Sequence, residues 1–230
     1  MQDIPVITVD GPSGVGKGTI SQLLAERLGW HFLDSGALYR LVGLAARRRG
    51  LSLEEPDAEA LGALARGLQA EFQVRAGATP LIFLDGQDVT DAIRTEEAGG
   101  DASRVAAILQ VRQALLQRQR DYRQSPGLVA DGRDMGTTVF PDAPVKVFLT
   151  ASAQARAERR YKQLKEKGLD VNVTTLLSEI AARDERDRSR SASPLRPADD
   201  AQVIDTSDLT IQEVFDRVMA LVRTRLPESV

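Results

Sequence analysis

Cysteine is absent from the 230 residues, and histidine and tryptophan occur once each. The first absence excludes disulfides, thiol nucleophiles and thiolate metal sites, and it fits a reducing compartment, the cytoplasm. A single histidine, His31, leaves no Cys/His cluster for zinc and reads as a satisfied, partly buried strand residue. Aromatic residues make up only 4% of the chain and its net charge is −3. With no interleaving of basic and aromatic positions, this argues against a nucleic-acid-binding module. No apolar run is long enough to cross a bilayer and no basic-then-apolar leader is seen, so neither a membrane helix nor a secretory signal is expected. Lysine is scarce, with five (17, 146, 162, 165 and 167) among 30 basic residues, so 25 are arginine. Compositional bias explains much of that excess. Arginine also grips phosphate oxygens as a planar fork, which lysine cannot do, so arginines beside motifs are weighed one by one.

What the chain does have, first, is a phosphate cradle. Val6 to Val9 is a short, mostly β-branched run suited to a buried parallel strand. Gly11, Pro12, Ser13, Gly14, Val15, Gly16, Lys17, Gly18 and Thr19 follow it. The glycines permit a tight turn with several N–H groups aimed inward. A helix from Gly18 to Leu28, with Leu23, Leu24 and Leu28 as its apolar side, adds the partial positive charge of its N-terminus. Lys17 supplies an ammonium for β- and γ-phosphate oxygens. The pattern is G-x-x-x-x-G-K-[ST] with one departure. Gly18 stands where a Ser or Thr normally meets magnesium, and Thr19 comes one position late. Phosphates and water are therefore expected to hold most of the metal's coordination.

The remaining periodicities predict an α/β fold. Strands are expected at Trp30–Leu33, Leu128–Ala130, Val145–Leu149 and Val203–Ile204, which with the first makes five parallel strands. Helices are expected from Ser35 (as N-cap) to about Arg49, weakly over Glu54–Leu68, and at Val105–Tyr122, Ala153–Lys167, Thr174–Asp187 and Thr210–Leu226. Ile108, Val111, Leu115 and Leu116 form the apolar side of the fourth. Glu71–Arg75, Leu81–Leu84 and a very short third strand at Val89, with turns at Gly77 and Asp85-Gly86, read as a small antiparallel insertion. Trp30, Met135 and Met219 read as packing. The whole is a P-loop three-layer α/β/α domain with a five-stranded parallel sheet, the β insertion and a short lid.

A cradle alone does not separate kinases, GTPases and motors, so a second anion site has to. Asp34-Ser35-Gly36 with Arg40 follows the second strand, and Arg40 reads as a phosphate contact or as a solvent arginine beside an N-cap. Asp131-Gly132-Arg133-Asp134 follows the third, at the carboxyl edge where open sheets place their chemistry. Two carboxylates and an arginine after a buried strand are costly unless paired. Arg133 suits an acceptor phosphate, Asp134 an amino group, and Asp131 a magnesium-bound water. In Arg183–Arg190, Arg183 and Asp187 stand four apart and are placed to pair. That stretch is either an exposed mixed-charge helix or a lid, with Arg156, Arg159 and Arg160 sharing the work and Gly168 as a bend.

These motifs together resemble the bacterial cytidylate kinases over nearly the whole chain. The resemblance rests on GPSGVGKGT at 11–19, LDSGALYR at 33–40, DGQDVTDAIRTEE at 85–97, DGRDMGTTVFPDAPVK at 131–146 and the arginine-rich 183–190. It implies transfer of the γ-phosphoryl group of ATP, with Mg2+, to CMP or dCMP. It implies that Ser35, Arg40, Arg133 and Arg190 surround the acceptor phosphate. By the same resemblance Ser103, Arg112 and Asp134 address cytosine, Asp187 meets the ribose, Arg183 belongs to the acceptor-facing set, and Arg156 is a lid arginine. The expected parts are a core of 1–34, 98–156 and 191–230, an acceptor region of 35–97 with its β insertion at about 65–95, and a lid of 157–190. A monomer is expected, acting on small nucleotides with neither nucleic acid nor membrane as partner. A kinase for UMP or AMP, or a hydrolysing nucleotide switch, are the competing readings.

Overall fold

Buried β-branched runs and helices with one apolar face account for the element order in the computed structural model, which describes residues 4–75, 78–166, 168 and 170–227. The order is β1 (Val6–Asp10), α1 (Lys17–Leu28), β2 (His31–Asp34), α2 (Ser35–Arg48), α3 (Ala58–Arg66), β3 (Ala70–Arg75), β4 (Ala78–Leu84), β5 (Gln87–Asp88), α4 (Glu96–Val105), α5 (Leu109–Arg120), β6 (Leu128–Gly132), β7 (Val145–Thr150), α6 (Ala153–Glu166), α7 (Val173–Ser189), β8 (Gln202–Asp205) and α8 (Ile211–Arg225). The turn expected at Gly77 and the helix end expected at Lys167 lie outside the described residues.

The chain divides into two compact units, one running to Asp34 and resuming at Gln119, the other Ser35–Arg118. The first is built on a five-stranded sheet of order β2-β6-β1-β7-β8, parallel throughout, as expected. β1 lies at its centre and is buried along its whole length, in keeping with its mostly β-branched sequence. Ile7, Val9, Val129, Val147 and Leu149 pack with Ile20 and Leu24 of α1 and Val214, Val218 and Val222 of α8. The buried stripe of α1 is Ile20, Ser21, Leu24 and Ala25, whereas Leu23 faces solvent. The expectation for Leu23 fails because a turn of 3.6 residues cannot bury two consecutive leucines on one narrow face. α6 and α7 form a hairpin around Ala157, Leu164, Leu176 and Ile180. Asn172 caps α7 by accepting from the N–H groups of Thr174 and Thr175, and Thr210 and Glu213 close a capping box on α8. Gly168, at φ 74, sits in the link between α6 and α7.

Among its described residues, the second unit holds the antiparallel sheet β3-β4-β5 and the α-helices α2, α3, α4 and α5. Here the helix expected over Val105–Tyr122 is α5, which starts at Leu109, and the separate helix α4 before it was not foreseen. Thr95 caps α4 through Ala98 N–H, a start signal masked in the sequence by the glycines at 99 and 100. α2 and α4 approach closely because Gly43 has no side chain; a Cβ there would lie 2.8 Å from that of Asp101. Arg47 then reaches Asp101 and Glu97 on the facing helix.

Candidate active site

The first unit gathers a dense set of charges at the carboxyl ends of β1, β2 and β6. The loop after β1 turns on Gly11, Gly14 and Gly16, all at positive φ. Gly11 is also pressed against the sheet, since a Cβ on it would lie 2.1 Å from the Leu149 carbonyl oxygen. Lys17, the first residue of α1, is 7% exposed and donates to Pro12 O at 2.8 Å. Its ammonium is pulled down to about 7. Burial is the main cause, the charges of Arg133 and Arg183 add to it, and Asp131 and Asp34 oppose it. Burial thus outweighs the carboxylates beside Lys17.

Asp131 ends β6 opposite Val9 of β1 and Asp34 of β2. A Cβ built on Gly18 would sit 3.5 Å from Asp131 Oδ2, so the carboxylate borders the space left by the missing Ser or Thr. Magnesium fits that donor chemistry as a hard cation taking oxygen ligands. Among the described residues there is no cluster of three or more acidic, histidine or cysteine side chains able to hold a metal alone.

Arg133 follows β6 and donates from Nε to Asp187 of α7 at 3.0 Å. Burial opposes its charge, but Asp187, Asp131 and Asp184 more than offset that and raise its pKa. Asp187 thus reaches across to Arg133, a long-range partner besides the neighbour expected on its own helix. Arg156, 3% exposed, donates to Asp184 at 3.0 and 2.5 Å and to Ser13 O of the phosphate loop at 3.2 Å. Arg190 donates from Nε to Ser193 O at 2.6 Å. Asp134 is buried directly before a π-helical turn, Met135–Val139. The unit thereby brings together Lys17, Asp131, Arg133, Arg156, Arg183, Asp187 and Asp134 around one sheet edge.

Ser35, Arg40, Ser103 and Arg112 belong to the second unit. Ser35 is buried and forms the first residue of α2 rather than standing before it as a cap. Arg40 keeps a buried Nε without a hydrogen-bond partner. Arg112 of α5 stacks over Tyr39 of α2, 5.8 Å from the ring centre, and donates to Ala106 O at 3.2 Å. Ser103 is buried on α4.

Two residues here gave no motif signal. Asp10, buried at the end of β1, accepts the N–H groups of Met135 and Gly136, both at 2.8 Å. Its carboxyl is pushed up to about 7, chiefly by burial, against those two hydrogen bonds and with Asp134 and Asp131 adding to the rise. Asp184 was visible only as one charge among many in 183–190. His31, expected partly buried, is exposed at the sheet edge and hydrogen-bonded to Ser125 O at 3.0 Å. The edge position of β2 leaves its first residue open on one side.

A glycine-rich loop at the end of a central parallel strand, with an invading lysine and flanking arginines, defines a P-loop phosphotransferase of the nucleoside monophosphate kinase type. The cytidylate kinase family model matches residues 7–224. A cytidylate kinase of Stutzerimonas stutzeri (strain A1501) is 57% identical over 226 residues, 98% of each chain. One from Shewanella denitrificans is 57% identical over 223 residues, 96% of this chain and 97% of its own. Among solved structures, a gluconokinase from Sinorhizobium meliloti 1021 aligns over 98% of this chain and 95% of its own, with a TM-score of 0.47 and 17% identity. The chain belongs to the cytidylate kinase family.

Proposed function

We infer that this protein transfers the γ-phosphoryl group of ATP to CMP or dCMP, giving ADP and CDP or dCDP. The observation that carries the reading is geometric: the loop after β1 turns on Gly11, Gly14 and Gly16, places the buried Lys17 at the start of α1, and has the buried Arg156 on its Ser13 O, which gathers backbone N–H groups and cations where phosphates bind.

The N–H groups of residues 11–19 and Lys17 hold the donor phosphates, Lys17 exchanging its bond to Pro12 O for phosphate oxygens. Asp131 would hold Mg2+ through water, and the ion would supply neutralisation of charge on the phosphate oxygens. Arg133, Arg190, Arg40 and Ser35 hold the acceptor phosphate, while Arg156 and Arg183 balance charge on the transferring group. The acceptor phosphate is already nucleophilic, so no general base is assigned. Ser103, Arg112 and Asp134 read cytosine. Arginine answers the acceptors O2 and N3, and a carboxylate answers the amino group. Asp187 meets the ribose. In this reading Ser35 onward to about residue 97 is the acceptor region, 157–190 the lid and the remainder the core. A monomer acting on small nucleotides is part of this proposal. The substrates ATP and CMP support action in the cytoplasm.

The test is ADP release measured with ATP against CMP, dCMP, UMP, AMP and GMP. CMP and dCMP give the highest kcat/KM on this reading. A preference for AMP, or ATP hydrolysis as fast without any acceptor, overturns it.

A further inference from the structure

Three carbonyl oxygens of the phosphate loop are each held by a different side chain. Lys17 Nζ donates to Pro12 O at 2.8 Å, Arg156 Nη1 to Ser13 O at 3.2 Å, and Thr206 Oγ1 to Val15 O at 3.1 Å. Lys17 and Arg156 handle phosphate and change partners during turnover. Thr206 has no such task.

Thr206 lies just beyond β8 and is fully buried, its own N–H donating to Thr150 O at the end of β7. Its hydroxyl sits between Arg159 Nη1, at 3.1 Å, and Val15 O. A guanidinium only donates and a carbonyl only accepts. The hydroxyl therefore accepts from Arg159 and has one place to send its proton, Val15 O. Arg159 also holds the main-chain oxygens of Thr206 and Ser207. In a trans peptide the carbonyl and the next N–H point in opposite directions. Fixing Val15 O thereby fixes the Gly16 N–H, at the residue whose φ of 91 lets the loop close.

We propose that Thr206, oriented by Arg159, is a positioning residue that pre-sets the phosphate loop for ATP. It raises affinity by fixing the loop before the ligand arrives, so ordering is not charged against binding. The proposal rests on the reading of the Lys17 loop as the ATP site.

Calorimetric titration with MgATP and, separately, with CMP on the wild type, Thr206→Val, Thr206→Ser and Arg159→Met tests it. Thr206→Val keeps the shape and removes the hydroxyl. It is expected to weaken ATP binding about tenfold and leave CMP binding within about twofold. Thr206→Ser restores ATP binding to within about threefold, and Arg159→Met gives an intermediate, ATP-selective loss. Unchanged ATP binding by Thr206→Val overturns the proposal, as does equal weakening of ATP and CMP or a Ser variant as poor as Val. If Thr206→Val does not fold, Arg159→Met decides on the same ATP-against-CMP comparison. A wild type that binds ATP but does not phosphorylate CMP would sink the activity and leave the Thr206 result readable.

Discussion

Arg156 and Asp184 form a buried, two-pronged ion pair, at 3.0 and 2.5 Å, that joins α6 to α7 beside the phosphate loop. The same guanidinium reaches Ser13 O. One arginine thus ties the α6–α7 hairpin to the phosphate loop.

Removing one member of that pair leaves the other buried and uncompensated. Asp184→Ala is expected to lower unfolding free energy by about 3–5 kcal/mol in a urea titration. Arg156→Met with Asp184→Leu should recover most of it, since an apolar pair of similar volume is tolerated. Arg156→Met alone should also cut kcat on the order of 100- to 1000-fold. A Tm within a degree of wild type for Asp184→Ala would contradict the pairing.

Lys17→Ala keeps the fold, because the ammonium supports no packing, and loses roughly two to four decades of kcat/KM, about 3–5.5 kcal/mol of transition-state stabilisation. Steady-state assays against circular dichroism of the same sample check both halves.

Asp134→Ala should damage CMP use more than UMP use. Uracil offers an oxygen where cytosine offers an amino group, and a carboxylate facing it leaves buried acceptors unpaired. The mismatch is worth roughly 1–3 kcal/mol, so the CMP/UMP ratio of kcat/KM should fall by about 5- to 150-fold. An unchanged ratio removes Asp134 from base recognition.

Asp10 and Lys17 shift the pH dependence of stability in opposite senses. Asp10 binds its proton more tightly folded, near 7 against 3.8. Stability from this group is therefore full below the lower value and lost as pH rises towards 7. Lys17 binds its proton less tightly folded, near 7 against 10.5. Its burial lowers stability below 7, and this penalty fades as pH rises from 7 to 10.5. Each slope is at most about 1.4 kcal/mol per pH unit. Urea midpoints of the ATP-free protein should show Asp10→Asn flattening the first window and Lys17→Met the second. Saturating ATP should restore the Lys17 charge and reduce the second slope.

Gly11→Ala is expected to destabilise by roughly 1–3 kcal/mol or more, since its Cβ would strike Leu149 O at 2.1 Å. Thermal unfolding checks this directly.

Much of the fold was legible because its signals are local. The β-branched run of β1, the helical repeat from Thr210 to Leu226 and the glycines at 11, 14 and 16 each act over a few neighbouring residues. Helix α4 was not legible, since Gly99 and Gly100 inside it weaken the helical signal that the Thr95 cap begins. The exposure of Leu23 and His31 depended on which face met the sheet and which strand became its edge.

At the site, sequence alone determined the phosphate loop and the chemical kind of each residue near it, because backbone geometry and side-chain charge are written position by position. Tertiary structure decided the partners. It matched Arg156 with Asp184 and Arg133 with Asp187, set Asp10 on the Met135 and Gly136 N–H groups, and brought Thr206 to Val15 from 191 residues away. Burial makes each such match obligatory, since a charge or polar group taken out of water must find a complement. Which complement lies within reach depends on how the strands are ordered in space, and no local pattern records that order.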